Sequence, residues 1–124
     1  MKIIETDNAP KAIGTYSQAI KVNGFLFISG QIPLNPSTME LVEGIENQIN
    51  QVFENINEIL KADGMDFSNV VKLSVLLEDL SHFEKVNEIM AAIFSKPYPA
   101  RAAYEVSKLP KGSLVEIETI AFKE

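Results

Sequence analysis

Two amphipathic helices must cover the strands this chain encodes, and they are too few. The first helical pattern runs from Ile45 to Ala62, with apolar residues at Ile45, Ile49, Val52, Phe53, Ile56, Ile59 and Leu60. These positions form one stripe on a helical period, and Gly64 is placed to cap the C-terminus. The second pattern starts near Leu80, where Ser81 and Glu84 have capping-box spacing. Its buried stripe is Phe83, Val86, Met90, Ile93 and Phe94, until Pro97 and Pro99 end it. Against these stand AIKV and FLFI, joined by Asn23-Gly24, then VVKLSVLL at 70–77 and LVEIETIAF at 114–122. Asn-Gly supplies the two positive-φ residues of a tight turn, so Ala19 to Ile28 reads as a hairpin. QIPLNPST at 31–38 is loop-like. A further strand, Ala102 to Val106, reaches the last one through the turn-forming KLPKGS. The order is strand–strand–helix–strand–helix–strand–strand, an α+β layer with both helices on one face of a mixed sheet. The strands offer apolar side chains to both faces, yet no segment remains within 1–124 to cover the second. Another subunit is the simplest cover, so a homo-oligomer is expected.

Composition narrows the chemistry. A chain of 124 residues that is 46% hydrophobic has material for one core, and no linker or repeat divides it. The formal charge of −6 argues against nucleic acid as the natural partner, since such proteins draw affinity from clustered lysine and arginine. No apolar run is long enough for a membrane span, and MKIIETDNAP lacks the apolar core of a secretory signal. Cysteine is absent, which removes disulfides, thiolate metal sites and a thiol nucleophile. The single histidine, His82, reads as an exposed first-turn residue and takes no role, so neither a metal site nor a Ser-His-Asp triad is expected. A soluble, cytoplasmic domain with few possible chemistries remains.

Among the candidates for chemistry, Arg101 is the only arginine; the other ten basic residues are lysine. A guanidinium is a planar fork that grips a carboxylate through two parallel hydrogen bonds, which an ammonium cannot do. Its neighbours Pro99, Ala100, Ala102 and Ala103 are rigid or small. Glu116 shares a strand face with Leu114, Glu118, Ile120 and Phe122, so partial desolvation would suit it to handle water. Tyr16 lies in AIGTYSQAI before the hairpin. Ser29-Gly30-Gln31 follows FLFI, where glycine allows a ligand close to main chain. Asn87 stands in the otherwise apolar middle of the second helix. Each has an ordinary structural alternative: a surface arginine, a solvated strand edge for Glu116, a packed tyrosine, a satisfied buried amide.

Taken in order, NAPKAIGTYSQAI, FLFISGQIPLNP, FEKVN and PARAAYEVSKLPKGSLVEIETIA resemble the Rid/YjgF family of reactive-intermediate deaminases essentially from end to end, as one domain over 1–124. The nearest group is RidA-like, the 2-iminobutanoate/2-iminopropanoate deaminases. The resemblance implies a chorismate-mutase-like α+β fold and a homotrimer whose sheets pack into a central barrel. It also implies sites between subunits for a small 2-imino or 2-keto acid. Carried over by residue, it makes Arg101 the carboxylate binder, Glu116 the water-positioning group and Tyr16 the pocket tyrosine. Ser29, Gly30, Ala103 and Asn87 join Arg101 in holding substrate, and no metal, flavin or pyridoxal phosphate is required. Two departures stand out. Thr15 replaces the proline common in that loop, and Ala102, Ala103 and Tyr104 replace serine, cysteine and valine. Contact at position 103 is expected through main chain, which alanine keeps.

The implied reaction is hydrolysis of an imine or enamine acid to a 2-keto acid and ammonia. A non-catalytic 2-keto-acid sensor using the same pocket is the alternative reading. An RNA-acting protein, an activity ascribed to some relatives, fits the acidic composition least.

Overall fold

The computed structural model describes residues 1–124. Its elements are β1 (Lys2–Ile4), β2 (Ala19–Val22), β3 (Phe25–Gln31), α1 (Ile45–Ala62), β4 (Val70–Leu77), α2 (Phe83–Ile93), β5 (Ala100–Glu105) and β6 (Val115–Phe122). They build one six-stranded mixed sheet in the order β1-β2-β3-β6-β4-β5, with both helices against one face. Only β4 and β5 run parallel, because α2 carries the chain back across the sheet between them. β5 is therefore a free edge.

The apolar stripe of α1 is buried as its period requires, with Ile49, Val52, Phe53, Ile56, Ile59 and Leu60 essentially inaccessible. The helix ends in a Schellman motif. Gly64, at φ +69, donates its N–H to Lys61 O at 2.9 Å, and Met65 donates to Leu60 O at 2.9 Å. Facing the helices are Leu26 and Ile28 of β3, Leu73, Val75 and Leu77 of β4, and Val115, Ile117 and Ala121 of β6.

The N-terminus of α2 differs from the sequence reading. The Ser81–Glu84 capping box does not form. Asp79 instead accepts the Ser81 N–H at 2.9 Å and opens a 3₁₀ turn over Leu80–His82, so α2 proper begins at Phe83. That hydrogen bond holds the Asp79 carboxyl below its ordinary range. An ionised acceptor is the stronger partner for an orphan amide, and it lies two residues earlier. β1 carries no sequence signal either; three residues are too short to show an alternating pattern. β5 starts at Ala100, two residues before the expected strand, and ends at Glu105.

The helix-free face carries the surplus apolar surface. Phe25 and Phe27 of β3 are 40% and 43% exposed and Tyr104 of β5 58%, with Ile120 and Phe122 of β6 half-buried beside them. Phe25 packs on Phe122 with ring centroids 4.8 Å apart. A face of this kind is what the excess of strands over helices leads one to expect.

Candidate functional site

The proposed site residues fall into two groups on opposite faces of the sheet. Arg101 pairs in register with Leu73, whose side chain faces the helices, so the guanidinium lies against α2 at the free edge. There its Nη1 donates to Asn87 Oδ1 at 2.5 Å and to Met90 Sδ at 3.5 Å. Its central carbon stands 4.6 Å from the centroid of the Phe83 ring. Asn87 is exposed and engaged with the arginine, rather than a buried amide. A cleft of about 370 Å³ opens here, lined by Asn87, Met90, Ala91, Tyr98, Pro99 and Arg101.

Ala103 adds a main-chain donor on the same edge. Val106 N–H reaches Leu77 O at 2.9 Å, and the parallel ladder alternates inward and outward amides along β5. Ala103, an odd number of residues away, therefore points its N–H away from β4.

The second group surrounds Glu116. On β6, Val115, Ile117, Thr119 and Ala121 are buried toward the helices, which turns Glu116 and Glu118 to the other face. Burial pushes the Glu116 carboxyl above its ordinary range, and the like charge of Glu118 adds to the effect. No hydrogen bond from within the chain offsets that shift. Gly30 lies directly beneath this carboxylate: a Cβ built at position 30 would come within 3 Å of Glu116 Oε2. Any side chain at position 30 would displace this carboxylate, at the irregularity where β3 loses register with β6.

Ser29 and Tyr16 complete this half. Ser29 Oγ donates to Ser17 O at 2.6 Å, and Ser29 N–H donates to Gln18 O at 3.0 Å, so β3 holds the loop that carries Tyr16. The Tyr16 ring is 53% exposed and its hydroxyl accepts the Ile13 N–H at 3.3 Å. Tyr16 and Gly30 line a cleft of about 330 Å³ with Ile13, Gln31, Pro110 and Lys111. Nowhere do three His, Cys, Asp or Glu side chains converge in a way that would hold a metal ion.

Within one chain, then, Gly30 lies against Glu116 and shares a cleft with Tyr16, while Arg101, Asn87 and the Ala103 amide share the β5 edge, and the sheet separates Glu116 from Arg101.

A family model described as Endoribonuclease L-PSP matches residues 6–123. The chain belongs to this family, the Rid/YjgF proteins. A RutC family protein of Pyrococcus horikoshii is 54% identical over 124 residues, covering 99% of this chain and 98% of the relative. The 2-iminobutanoate/2-iminopropanoate deaminase of Mus musculus is 53% identical over 121 residues, or 97% of this chain and 90% of that one. The crystal structure of RidA from Psychrobacter sp. PAMC 21119 superposes with a TM-score of 0.97 at 53% identity, covering 99% of this chain and all of that one. The fold of this Rid protein is accordingly that of RidA, with two helices on a mixed sheet. No helix is long and apolar enough to cross a membrane.

Sequence reading missed two contributions to these half-sites. By spacing Phe83 and Met90 belong to the apolar stripe of α2, yet with Asn87 they stand at i, i+4 and i+7, a single ridge beneath the guanidinium. Gln18, buried ahead of β2, ties down the N-terminal segment: its amide donates to Pro10 O at 2.8 Å and accepts the Thr6 N–H at 2.8 Å. It stands within the NAPKAIGTYSQAI segment, but nothing in that sequence shows which main-chain groups it would bind.

Proposed function

We propose that this Rid protein hydrolyses small 2-imino acids to 2-keto acids and ammonia, in clefts completed by a second copy of the chain within a homotrimer. One observation carries the reading. A guanidinium oriented by α2 stands at a free sheet edge, while a desolvated carboxylate without an internal partner stands on the opposite face. Neither group has its natural counterpart in its own chain. A neighbouring copy whose β5 edge meets the Glu116 side would supply it, and would also cover Phe25, Phe27 and Tyr104.

In such a cleft Arg101 binds the substrate carboxylate and sets the position of C2. The Ala103 N–H gives a second, main-chain donor, and Tyr16 and Ser29 line the other wall. An enamine substrate first tautomerises to the imine. Water then attacks C2, its oxygen forming the new C–O bond while Glu116 takes its proton. As the C=N π bond opens, that proton passes to nitrogen and gives a carbinolamine. The hydroxyl's remaining proton then follows by way of Glu116, the C–N bond breaks, ammonia leaves, and the carbonyl of the 2-keto acid forms. The barrier is modest, so holding water and C2 in register accounts for most of the acceleration. A base poised by burial supplies a further factor of roughly 10²–10⁴. The named deaminases among the relatives support this substrate class. The endoribonuclease description of the family finds no electrostatic support in a chain with 17 acidic and 11 basic residues.

The test is an assay in which an amino-acid oxidase generates 2-iminobutanoate and semicarbazide traps it. Added protein is expected to lower the semicarbazone yield and raise 2-oxobutanoate in proportion. An unchanged yield alongside measurable 2-oxobutanoate binding would establish a keto-acid sensor instead.

A further inference from the structure

We infer that Phe83 is a positioning residue for Arg101, acting through its ring to aim one chosen edge of the guanidinium at the ligand. The inference rests on the reading of Arg101 as the carboxylate fork. An arginine side chain at a free sheet edge ordinarily samples many rotamers, and ordering it on binding costs affinity. Here three side chains from successive turns of α2 restrain it before any ligand arrives. The Phe83 ring lies against one face, 4.6 Å from the central carbon, where the negative face of the π system attracts the cation. Asn87 Oδ1 and Met90 Sδ both take hydrogen bonds from Nη1. One face and one nitrogen are thereby occupied, which leaves the edge formed by Nε and Nη2 for two parallel bonds to a carboxylate. Asn87 accordingly serves the arginine rather than the substrate. Phe83 is half-buried and also packs against the core, so leucine can keep its packing while removing the ring face.

Two measurements on the full-length protein test this. Arg101 is the sole arginine, so its Nε–Hε group gives a single side-chain signal in a ¹⁵N-correlated NMR spectrum. That signal is expected to be shifted by the ring current and to lose the shift in Phe83→Leu but not in Phe83→Tyr. In the imine assay Phe83→Leu is expected to raise KM about two- to thirty-fold, the span of one cation–π contact, with kcat within about twofold. Phe83→Tyr should restore KM, and in an Arg101→Gln background Phe83→Leu should change kcat/KM less than about twofold. An unshifted wild-type signal, or equal losses in the leucine and tyrosine variants, overturns the inference. So does a KM unmoved by Phe83→Leu when Arg101→Gln raises it. If the signal behaves as expected and neither Arg101→Gln nor Phe83→Leu moves KM, the cradle stands and the carboxylate-binding reading of Arg101 is what fails.

Discussion

Arg101→Lys is expected to lower kcat/KM for 2-iminobutanoate by on the order of 10²-fold, most of it in KM. The charge survives this substitution and the geometry does not. Lysine ends in a compact ammonium that cannot present two parallel donors to one carboxylate. It also forfeits the planar stacking on Phe83, and any bond it makes to Asn87 Oδ1 uses a donor of the same nitrogen that must hold the ligand. The substrate carboxylate would still be attracted, but C2 would no longer sit in a fixed relation to the attacking water. Circular dichroism and melting temperature should stay near wild type, because Arg101 is exposed and makes no ion pair within the chain. Steady-state kinetics in the semicarbazide assay provide the check. A lysine variant within a few-fold of wild type would mean that charge alone suffices and that the fork is not used.

Glu116→Gln should separate turnover from binding. Glutamine can orient water but cannot take its proton, so kcat should fall by roughly 10²–10⁴-fold while 2-oxobutanoate binding stays near normal. Burial, then Glu118, raise the folded-state pKa of Glu116 above its unfolded value. The protonated form therefore favours folding below the unfolded pKa, and that contribution disappears as pH rises through the folded pKa. Near neutrality the ionised carboxylate is a burden on the isolated chain, which a neighbouring copy's Arg101 offsets on assembly. The acidic limb of the wild-type pH–rate profile reports this carboxyl in the assembled cleft, where burial and Glu118 raise its pKa and the neighbouring copy's Arg101 opposes them. Glu118→Gln, by removing the like charge, should move that limb to lower pH. Loss of keto-acid binding in Glu116→Gln would show that this residue holds ligand rather than water.

Much of the scaffold can be read directly from periodicity. The stripe from Ile45 to Ala62 and the β-branched run from Val70 to Leu77 coincide with α1 and β4 at both ends, because each is long and closed by clear signals. Asn23-Gly24 likewise sets the turn between β2 and β3. What escapes are features decided at short range by one competing partner, such as the Asp79 carboxylate that displaces the Ser81–Glu84 box. The site is legible in identity and not in arrangement. Alternation along β6 places Glu116 away from the core without knowledge of any other strand. Nothing comparable locates Arg101, whose face depends on the parallel pairing of β5 with β4 and on α2 crossing above it. Apolar spacing also cannot tell a core contact from a ring that carries a guanidinium, which is why Phe83 reads as packing.

The central claim is that Arg101 and Glu116 act on one substrate from different copies of the chain. It is tested most directly by mixing Arg101→Lys and Glu116→Gln proteins, unfolding them together, refolding, and assaying the hybrids. If each cleft takes its arginine from one copy and its glutamate from another, random assembly restores both native residues in about a quarter of the clefts. Activity should then rise from near the background of either parent to about a quarter of the wild-type value. Activity that stays at the average of the two parents, in hybrids shown to have exchanged subunits, would contradict the account.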